Sequence, residues 1–479
     1  MTTFKKLAAI RSNAEMRDYL REIGADFDLF DHPPAEQFAR PFTYTETFGG
    51  KTRRFSNRWA IHPMEGWDGQ LNGDPSDLTR RRWEKFADSG AKMIFGGEAT
   101  AVEHTGRSNT RQIMITAENI GKFSALREAL LKRHRERFGA GDEPVIGLQL
   151  THSGRFSKPN DDTRPEPKTA YEHPYLDQKF RCGAANVLTD DDLKRTIDRF
   201  IDAASYAQKA GFDFVDVKCA HGYLAHELLT AHTRPGPFGG SLENRTRFFR
   251  EIVEGIRSRV PGLEVAVRFS VGDMIPFVKG PDGVGRPISW EGTYPFAFGA
   301  DETGFGWDER EPAAFVQMAY DLGIRLIDAT FGSPYYVPHT QRPAAFAVSD
   351  GYLPPEDPLL GVARQIRIVR RLKELFPKMT FIGSGYSYLQ EYLPAVGAEV
   401  LRTGAADFIG IGRGVLCYPE MCADTLARRP LDKRRICRTF GDCTNAPRIR
   451  LISGCYPLDP FYRARPEAEV LKASKGRKQ

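Results

Sequence analysis

The stretch that decides the fold runs from Phe212 to Arg245 and reads FDFVDVKCAHGYLAHELLTAHTRPGPFGGSLENR. Its first residues are apolar and β-branched, which predicts a buried strand. His221 and Tyr223 follow at the carboxyl end of that strand, before a loop and the charged start of a helix. Barrel enzymes hold their catalytic groups at the carboxyl ends of parallel strands, so this segment predicts an active-site strand.

Eight apolar or β-branched runs alternate with helical periods along the chain, which indicates parallel βαβ units. Polar or glycine residues end nearly every run, which favours one shared mouth and therefore an α/β fold of the TIM (β/α)8 type; a doubly wound open sheet is the alternative. The predicted strands span residues 57–64, 91–99, 144–152, 212–220, 263–270, 324–332, 379–387 and 407–415. The predicted helices span residues 76–89, 119–138, 190–210, 242–260 and 360–376, and Thr189 with Asp192 predicts a capping box at the start of the third of these.

Three segments lie outside this alternation of strands and helices: an N-terminal extension, the fifth βα loop and a C-terminal tail. We predict that the extension covers residues 1–55, the barrel domain 56–430, with the loop inside it, and the tail with its three cysteines 431–479. The fifth βα loop, 271–311, is long and rich in Gly, Pro and aromatic residues. Loops of that length are usually functional or disordered, and two interpretations stay open here: a substrate lid and a packed surface embellishment.

Composition excludes several classes of protein. The 68 basic and 62 acidic residues leave a net charge of +6 without a long basic run, so we expect no nucleic-acid partner. No apolar run approaches membrane-spanning length and the N-terminus lacks a signal-peptide pattern, so we expect a soluble, cytoplasmic protein with no membrane partner. The seven cysteines, an odd number in a long chain, fit reduced thiols. Assembly into a homo-oligomer is left open.

A series of motifs appears in order along the strands: HPM, GGEATAV, QLTHSGR, HGYL with GGSLENR, VRFS, GSG and IGR. Over residues 50 to 430 this series resembles the Old Yellow Enzyme family, the FMN-dependent ene-reductases. The resemblance implies an FMN-binding TIM barrel and an NAD(P)H:flavin oxidoreductase that acts on a small molecule with an activated alkene. It also implies FMN contacts from Pro63, Met64, Glu65, Ala99, Gln149, Arg268, Ser384, Gly385, Gly412 and Arg413.

Several of these residue types suit a flavin on chemical grounds. The Gln149 side chain can both donate to and accept from the pyrimidine edge of the ring. A cation at Arg268 would stabilise an anionic reduced flavin. Gly385 and the Gly412–Arg413 pair follow strands seven and eight, where barrel enzymes bind phosphate.

The resemblance also implies a mechanism. Reduced nicotinamide would pass hydride to flavin N5, and an activated alkene would then receive that hydride at its β-carbon. Tyr223 would protonate the α-carbon, while His221 and Lys218 would donate to the activating oxygen. This scheme needs no metal ion. The alternative is that His221 and Tyr223 are satisfied polar residues at a strand end.

Two residues depart from the family pattern. Lys218 stands where the family usually has histidine, and it could bind an anionic substrate group or pair with a carboxylate. Glu65 stands where threonine or cysteine is common, near the flavin C4=O. An ion pair between Glu65 and Lys218 would reconcile both departures, and we take it as a hypothesis.

The tail bears on the subfamily. Relatives resembling 2,4-dienoyl-CoA reductase and trimethylamine dehydrogenase carry a four-cysteine iron–sulfur motif and a second dinucleotide-binding region after the barrel. Here Cys437, Cys443 and Cys455 contain no CxxC pair and no GxGxxG unit follows. We expect a packed tail without an iron–sulfur cluster; a degenerate cluster or a three-thiolate metal site is the alternative.

Two other function classes are weighed. An amine dehydrogenase or N-demethylase passing electrons to a partner is the main alternative, and the incomplete cysteine motif counts against it. A barrel that binds ligand without net redox change is the other. Tyr335, Tyr336 and His339 follow strand six and either line a substrate pocket or pack within their loop.

Overall fold

A computed structural model describes residues 4–346, 348 and 351–476. In this part of the chain eight parallel strands close into a barrel surrounded by helices, which confirms the predicted (β/α)8 fold. Closure is made where Ile409 of the last strand pairs with Trp59 of the first. The barrel strands are Trp59–Ile61, Met93–Ile94, Val145–Thr151, Phe214–Val217, Glu264–Ser270, Leu326–Thr330, Thr380–Gly383 and Phe408–Ile411, with a short strand Ala99–Ala101 continuing the second.

The five predicted helices are present to within two residues at each end. Thr189 caps its helix as predicted: its hydroxyl accepts the Asp192 N–H at 3.1 Å, and the Asp192 carboxylate accepts the Thr189 N–H at 2.9 Å. The helices of the described chain are Asn13–Ile23, Ala35–Phe38, Asp77–Asp88, Ile120–Phe138, Pro174–Phe180, Asp190–Lys209, Leu224–Leu229, Leu242–Arg259, Arg310–Asp321, Pro338–Gln341, Pro358–Leu375, Leu393–Arg402, Met421–Leu426, Asp442–Arg448, Pro460–Arg463 and Pro466–Gly476.

The amino end of the barrel is closed by an antiparallel hairpin, Phe42–Thr45 with Thr52–Phe55. Phe42 and Phe55 meet the ring of Phe408 edge-on, at 5.2 Å between centroids in each case. Apolar side chains fill this half of the barrel interior, so only the carboxyl end is left for a site.

The long loop 271–311 is packed rather than open. It contains a second hairpin, Phe277–Lys279 with Gly285–Pro287. Its Tyr294 is buried and its hydroxyl lies 2.8 Å from Nε2 of His173.

The tail folds back onto the barrel. The buried carboxylate of Asp459 accepts hydrogen bonds from Arg81, at 3.0 Å for both Nη atoms, and from Lys85 at 2.7 Å. Both cations belong to the helix Asp77–Asp88, so the tail is fixed to the first barrel helix. The helix Asp442–Arg448 lies at the carboxyl end of the barrel, where Arg342 and Arg413 donate to its Thr444. None of the described helices is long and apolar enough to cross a bilayer.

Candidate active site

A cavity of about 800 Å³ opens at the carboxyl ends of the strands. None of its lining residues comes from the loop 271–311; the tail and the loops after strands three and six cover it instead. Four predicted site residues, Ala99, Gln149, Lys218 and Tyr223, are buried beside the cavity without lining it. The predicted residues that line it are Pro63, Met64, Glu65, His221, Arg268, Ser384, Gly385, Gly412 and Arg413.

Tyr223 comes directly before the short helix Leu224–Leu229 and is 2% exposed. Its hydroxyl donates to the Glu65 carboxylate and lies 3.0 Å from the Tyr335 hydroxyl. Burial, with the Glu65 carboxylate next, raises the pKa of Tyr223 well above its usual value. The phenol therefore holds its proton at neutral pH, as a general acid must.

Glu65 is the shared acceptor of this part of the site. Besides Tyr223 it accepts hydrogen bonds from the Ser108 hydroxyl and from Nδ2 of Asn109, the latter at 3.1 Å. The sequence did not single out Ser108 or Asn109, because they lie in the loop after strand two, away from any strand end.

The hypothesised ion pair between Glu65 and Lys218 is not formed. Within the described residues no contact under 4 Å joins the Lys218 ammonium to the Glu65 carboxylate; Lys218 Nζ instead lies 3.6 Å from the centroid of the Tyr223 ring. Burial lowers the pKa of Lys218 to about 7, although Glu65 opposes that shift. The correction has a simple reason: Tyr223 stands between the two groups and its hydroxyl takes the carboxylate.

His221 adopts a left-handed backbone conformation with φ of 68°, which is uncommon for a residue with a Cβ. Its N–H donates to Ser270 Oγ at 3.0 Å and its carbonyl accepts from Ser333 Oγ at 2.8 Å. Burial, followed by the charges of Arg268 and Lys218, lowers the pKa of His221 well below its usual value. A neutral imidazole held at this position can donate one hydrogen bond into the cavity.

Arg268 is compensated by a carboxylate that the sequence analysis missed. Its Nε lies 3.3 Å from Asp328 Oδ2, and its Nη1 donates to the Pro63 carbonyl at 3.0 Å. The same Asp328 oxygen lies 2.8 Å from His62 Nδ1. An acidic residue inside an apolar strand, as in LIDAT, is the signal that could have found it.

Gln149 is committed to another buried acid. Its Nε2 donates to Asp216 at 2.5 Å, and burial raises the pKa of Asp216 to about 7. The Ala99 carbonyl likewise accepts from Gln112 Nε2 at 2.8 Å. Gln149 and Ala99 are therefore both hydrogen-bonded to other residues in the core of the barrel.

The region after strands seven and eight combines small residues with cations. Gly385 has φ of 87°, and a Cβ there would come within 2.7 Å of the Gln365 side chain. Arg413 and Arg342 both donate to Thr444 Oγ1, at 3.4 and 2.9 Å. Two guanidinium groups converging on one neutral oxygen suit an anion, so Arg342 joins Arg413 in a candidate phosphate site.

The cavity also contains polar atoms that a flavin could satisfy. His62 Nε2 and Thr330 Oγ1 are buried in its wall and have no hydrogen-bond partner within the described residues, and Arg268 Nε, although 3.3 Å from Asp328 Oδ2, makes no hydrogen bond. Buried polar groups are usually paired, so this group of donors and acceptors is suited to a polar ring. The residues present thus fit FMN.

The tail cysteines are joined by one that the sequence analysis left out. The thiol of Cys417, just after strand eight, lies beside Cys437 and Cys455 and donates to the Gly414 carbonyl at 3.4 Å, while the Cys443 thiol lies 3.9 Å from Thr444 Oγ1. The neighbouring Cys417 thiol, aided by nearby arginines, lowers the pKa of Cys437 below its usual value. Among the described residues, no group of three or more His, Cys, Asp or Glu side chains is arranged to hold a metal ion. The expectation that the tail is packed and holds no iron–sulfur cluster stays a prediction.

The barrel, its single apolar floor and the polar mouth define a (β/α)8 enzyme with a site for a planar cofactor and its phosphate. A sequence profile of the NADH:flavin oxidoreductase / NADH oxidase family matches residues 50–282. The chain is 33% identical over 371 residues to the NADPH dehydrogenase of Geobacillus sp. (strain WCH70), covering 76% of this chain and 87% of that protein. It therefore belongs to this family and is an FMN-dependent NAD(P)H oxidoreductase.

Solved structures agree on the fold. The Old Yellow Enzyme homologue of Zymomonas mobilis superposes with a TM-score of 0.56 at 20% identity, covering 83% of this chain and 94% of that one. A 2-naphthoyl-CoA reductase in complex with 2-naphthoyl-CoA gives a TM-score of 0.64 at 17% identity. The match covers 89% of this chain but 57% of that reductase, so this chain spans little more than half of it.

Proposed function

We propose that this enzyme reduces the activated C=C bond of an enone-like substrate, with NAD(P)H as reductant and Tyr223 as proton donor. The observation that carries the proposal is the Tyr223 phenol, buried beside the cavity and bonded to Glu65 and Tyr335. A protonated phenol at the exit of strand four suits proton delivery to a carbon above the cofactor ring.

FMN would be held by the residues at the strand ends. Pro63, Met64, Glu65 and Arg268 would contact the ring, while Ser384, Gly385, Gly412 and Arg413, joined by Arg342, would hold the phosphate. Bound FMN supplies the carrier for a hydride between the nicotinamide and the substrate. Ala99 and Gln149 would form the wall behind the flavin ring, and the hydrogen bond to Asp216 keeps the Gln149 side chain in place.

His221, which lines the cavity, would donate to the activating oxygen of the substrate, and Lys218, buried against the Tyr223 ring, would act on that oxygen through its charge. The backbone of His221 is held by Ser270 and Ser333, and its imidazole Nε2 lies 3.3 Å from Gln341 Nε2, a contact that the activating oxygen would replace or share. Lys218, when protonated, adds a positive charge against the oxygen on which negative charge develops.

The first experiment is an anaerobic absorption spectrum of the purified holoenzyme with NADH or NADPH, followed by a panel of enones. We expect a flavin spectrum that nicotinamide bleaches and an enone restores. Bleaching by an amine, but not by a nicotinamide, would support the amine dehydrogenase alternative and overturn the proposal.

The Tyr223→Phe variant tests the proton donor. We expect its flavin reduction by NAD(P)H to be unchanged and its reoxidation by an enone to slow about 10²- to 10⁴-fold, the usual contribution of a general acid. Tyr171→Phe is the matched control, because Tyr171 is also buried but bonds Thr230, in the packed layer under the long loop. Equal reoxidation rates in Tyr223→Phe and wild type would remove Tyr223 from the mechanism.

A further inference from the structure

The two carboxylate oxygens of Glu65 have different surroundings. Oε1 accepts hydrogen bonds from the Ser108 hydroxyl and from Nδ2 of Asn109, whereas Oε2 accepts the Tyr223 hydroxyl. The first two donors belong to the loop after strand two, and the third lies at the exit of strand four. Two separate parts of the barrel therefore hold the two oxygens.

The hydrogen bonds around Oε1 fix this oxygen as an acceptor. Oδ1 of Asn109 accepts the Arg111 N–H at 2.9 Å, so the Asn109 amide presents its Nδ2 group to Glu65. The same Nδ2 donates to Ser108 Oγ at 3.0 Å, which leaves the hydroxyl hydrogen of Ser108 for Glu65. A proton that arrives on the carboxylate therefore goes to Oε2, the oxygen that faces Tyr223.

The Tyr223 hydroxyl has a single hydrogen, and that hydrogen is donated to Glu65. The Tyr335 hydroxyl, 3.0 Å away, is thus left to donate to the Tyr223 oxygen. A phenol bonded in this way has no hydrogen to offer to a substrate carbon. If Glu65 is protonated, Oε2 donates to the Tyr223 oxygen instead, and the phenol hydrogen is free to point towards the substrate.

The charge of Glu65 also opposes proton transfer from Tyr223. Delivery of the proton by Tyr223 alone would leave a buried phenolate next to a carboxylate. Burial and the Glu65 charge both raise the pKa of Tyr223, which means that both disfavour this phenolate. A neutral Glu65 removes the repulsion and can replace the proton as it leaves.

We propose that Glu65 is the proton reservoir of this site and that it is loaded on Oε2 before the substrate is protonated. The α-carbon of the substrate uses the electron pair left by hydride addition to form a C–H bond as the Tyr223 O–H bond breaks. At the same time the Glu65 O–H bond breaks and a new Tyr223 O–H bond forms, which restores the arrangement described above. Solvent then reloads Glu65, which lines the cavity, with the one proton that each reduction of a C=C bond by NAD(P)H consumes. The inference rests on the proposed role of Tyr223 as proton donor.

The charges near Glu65 bear on when it is loaded. A hydride taken from nicotinamide adds a negative charge to the cavity, and a like charge nearby favours the neutral form of a carboxyl group. Glu98, which accepts the Gly66 N–H at 3.1 Å, is paired with Arg82 at 2.6 Å. The Glu65 charge favours the charged form of Lys218, so protonation of these two groups is coupled. The test therefore has to observe the Glu65 carboxyl group directly.

Infrared difference spectroscopy of the holoenzyme during electrochemical reduction at neutral pH tests the loading step. We expect a protonated-carboxyl band to appear on reduction, to shift in D2O and to be absent in Glu65→Gln. Asp273→Asn is the matched control and should keep the band, because Asp273 also accepts from a buried phenol, that of Tyr336 at 2.5 Å, but does not line the cavity. The absence of the band in wild type, or its presence in Glu65→Gln, would overturn the proposal.

Reoxidation of the reduced variants by an enone tests the delivery step. Glu65→Gln should slow it at least about 10²-fold, within the range of a general acid, because the amide cannot replace the proton. The Glu65→Gln/Tyr223→Phe double variant should be no slower than Tyr223→Phe, since the two residues act as one unit. Slowing factors that multiply in the double variant would contradict the relay. Ferricyanide needs no proton delivered to carbon, so equal slowing of its reaction in Glu65→Gln would also contradict it.

The infrared measurement separates this inference from the proposed function, because it needs no alkene. If no enone reoxidises the flavin, the proposed function fails, whereas a band that is lost in Glu65→Gln would still identify Glu65 as the group that takes up the proton. If enones react but the band is absent in wild type, the proposed function stands and the reservoir is overturned.

Discussion

At the scale of single residues, Lys218 links the site to pH. Burial lowers its pKa from 10.5 to about 7, so the side chain is charged below that pH and neutral above it. If the charge assists the activating oxygen, kcat/KM for a neutral enone falls as pH rises through about 7. A pH profile of the Lys218→Met variant should lack this fall. A profile that keeps the same inflection would show that another group titrates there.

Glu65 offers a second prediction at this scale. Three donors converge on its carboxylate, and it lines the cavity beside the proposed flavin position. Replacing it with threonine, the residue common in the family, removes an acidic group and should make the flavin midpoint potential less negative, by about 30 mV for each 1.4 kcal/mol. Spectroelectrochemical titration measures the shift, and an unchanged potential removes Glu65 from the control of the flavin.

Asp328 is the residue on which the inner charges depend. It is fully buried and compensates both Arg268 and His62. In the Asp328→Asn variant the Arg268 cation stays buried without its partner, which should cost about 3–5 kcal/mol of unfolding free energy. Urea unfolding checks this, with Asp282→Asn as the control, because Asp282 pairs with Arg286 on the surface. Equal losses in the two variants would contradict it.

At the scale of elements, the strands and helices were predictable where one residue pattern repeats over a whole element. The eight strands and five of the helices follow from apolar periodicity, and the Thr189 cap follows from its Asp192 partner. The helix Leu393–Arg402 was missed, since the prediction placed no element between strands seven and eight. The loop 271–311 could be recognised but its packing could not, because aromatic residues suit a lid and a packed layer equally well.

The cysteine group is a prediction at the same scale. The neighbouring Cys417 thiol is the largest cause of the lowered pKa of Cys437. In the Cys417→Ala variant, the pH midpoint for alkylation of Cys437 should rise by at least about one unit as the thiolate loses its donor. Iodoacetamide rates followed by peptide mass spectrometry measure it, with Cys422→Ala as the control for a buried thiol elsewhere. Iron and sulfide analysis of the same samples tests the metal-site alternative.

At the scale of the whole molecule, the tail completes the site. Asp459 holds the tail to Arg81 and Lys85, so Asp459→Ala should release it by about 1–3 kcal/mol of local opening free energy. Trypsin should then cut the basic segment near Arg434 about 5- to 100-fold faster than in wild type. Limited proteolysis measures this, and Asp18→Ala, which removes an exposed carboxylate of the helix Asn13–Ile23, is the control. Equal cleavage rates would show that Asp459 does not hold the tail.

The residues of the candidate site also divide into those that the sequence pattern could predict and those that it could not. Groups at strand ends, such as Arg268 and Tyr223, could be found because a polar residue there interrupts an apolar run. Thr444 and Arg448 could not, since only the closed fold brings them to the mouth. Asp328 is an intermediate case. Its acidic side chain stands out in an apolar strand of the sequence, but the residues that it binds can be identified only from the closed barrel.

The attachment of the tail also sets an order of events during synthesis. The helix that binds Asp459 is made early, whereas residues 431–462 are synthesised after every other part of the chain that lines the cavity. At roughly 5–20 residues per second, a nearly finished barrel stands open for some seconds before its cover arrives. A nascent chain thus passes through a stage in which a bulky, charged nucleotide can enter from above, and the translation rate of the codons for the tail becomes a variable in how much of the protein matures with its cofactor.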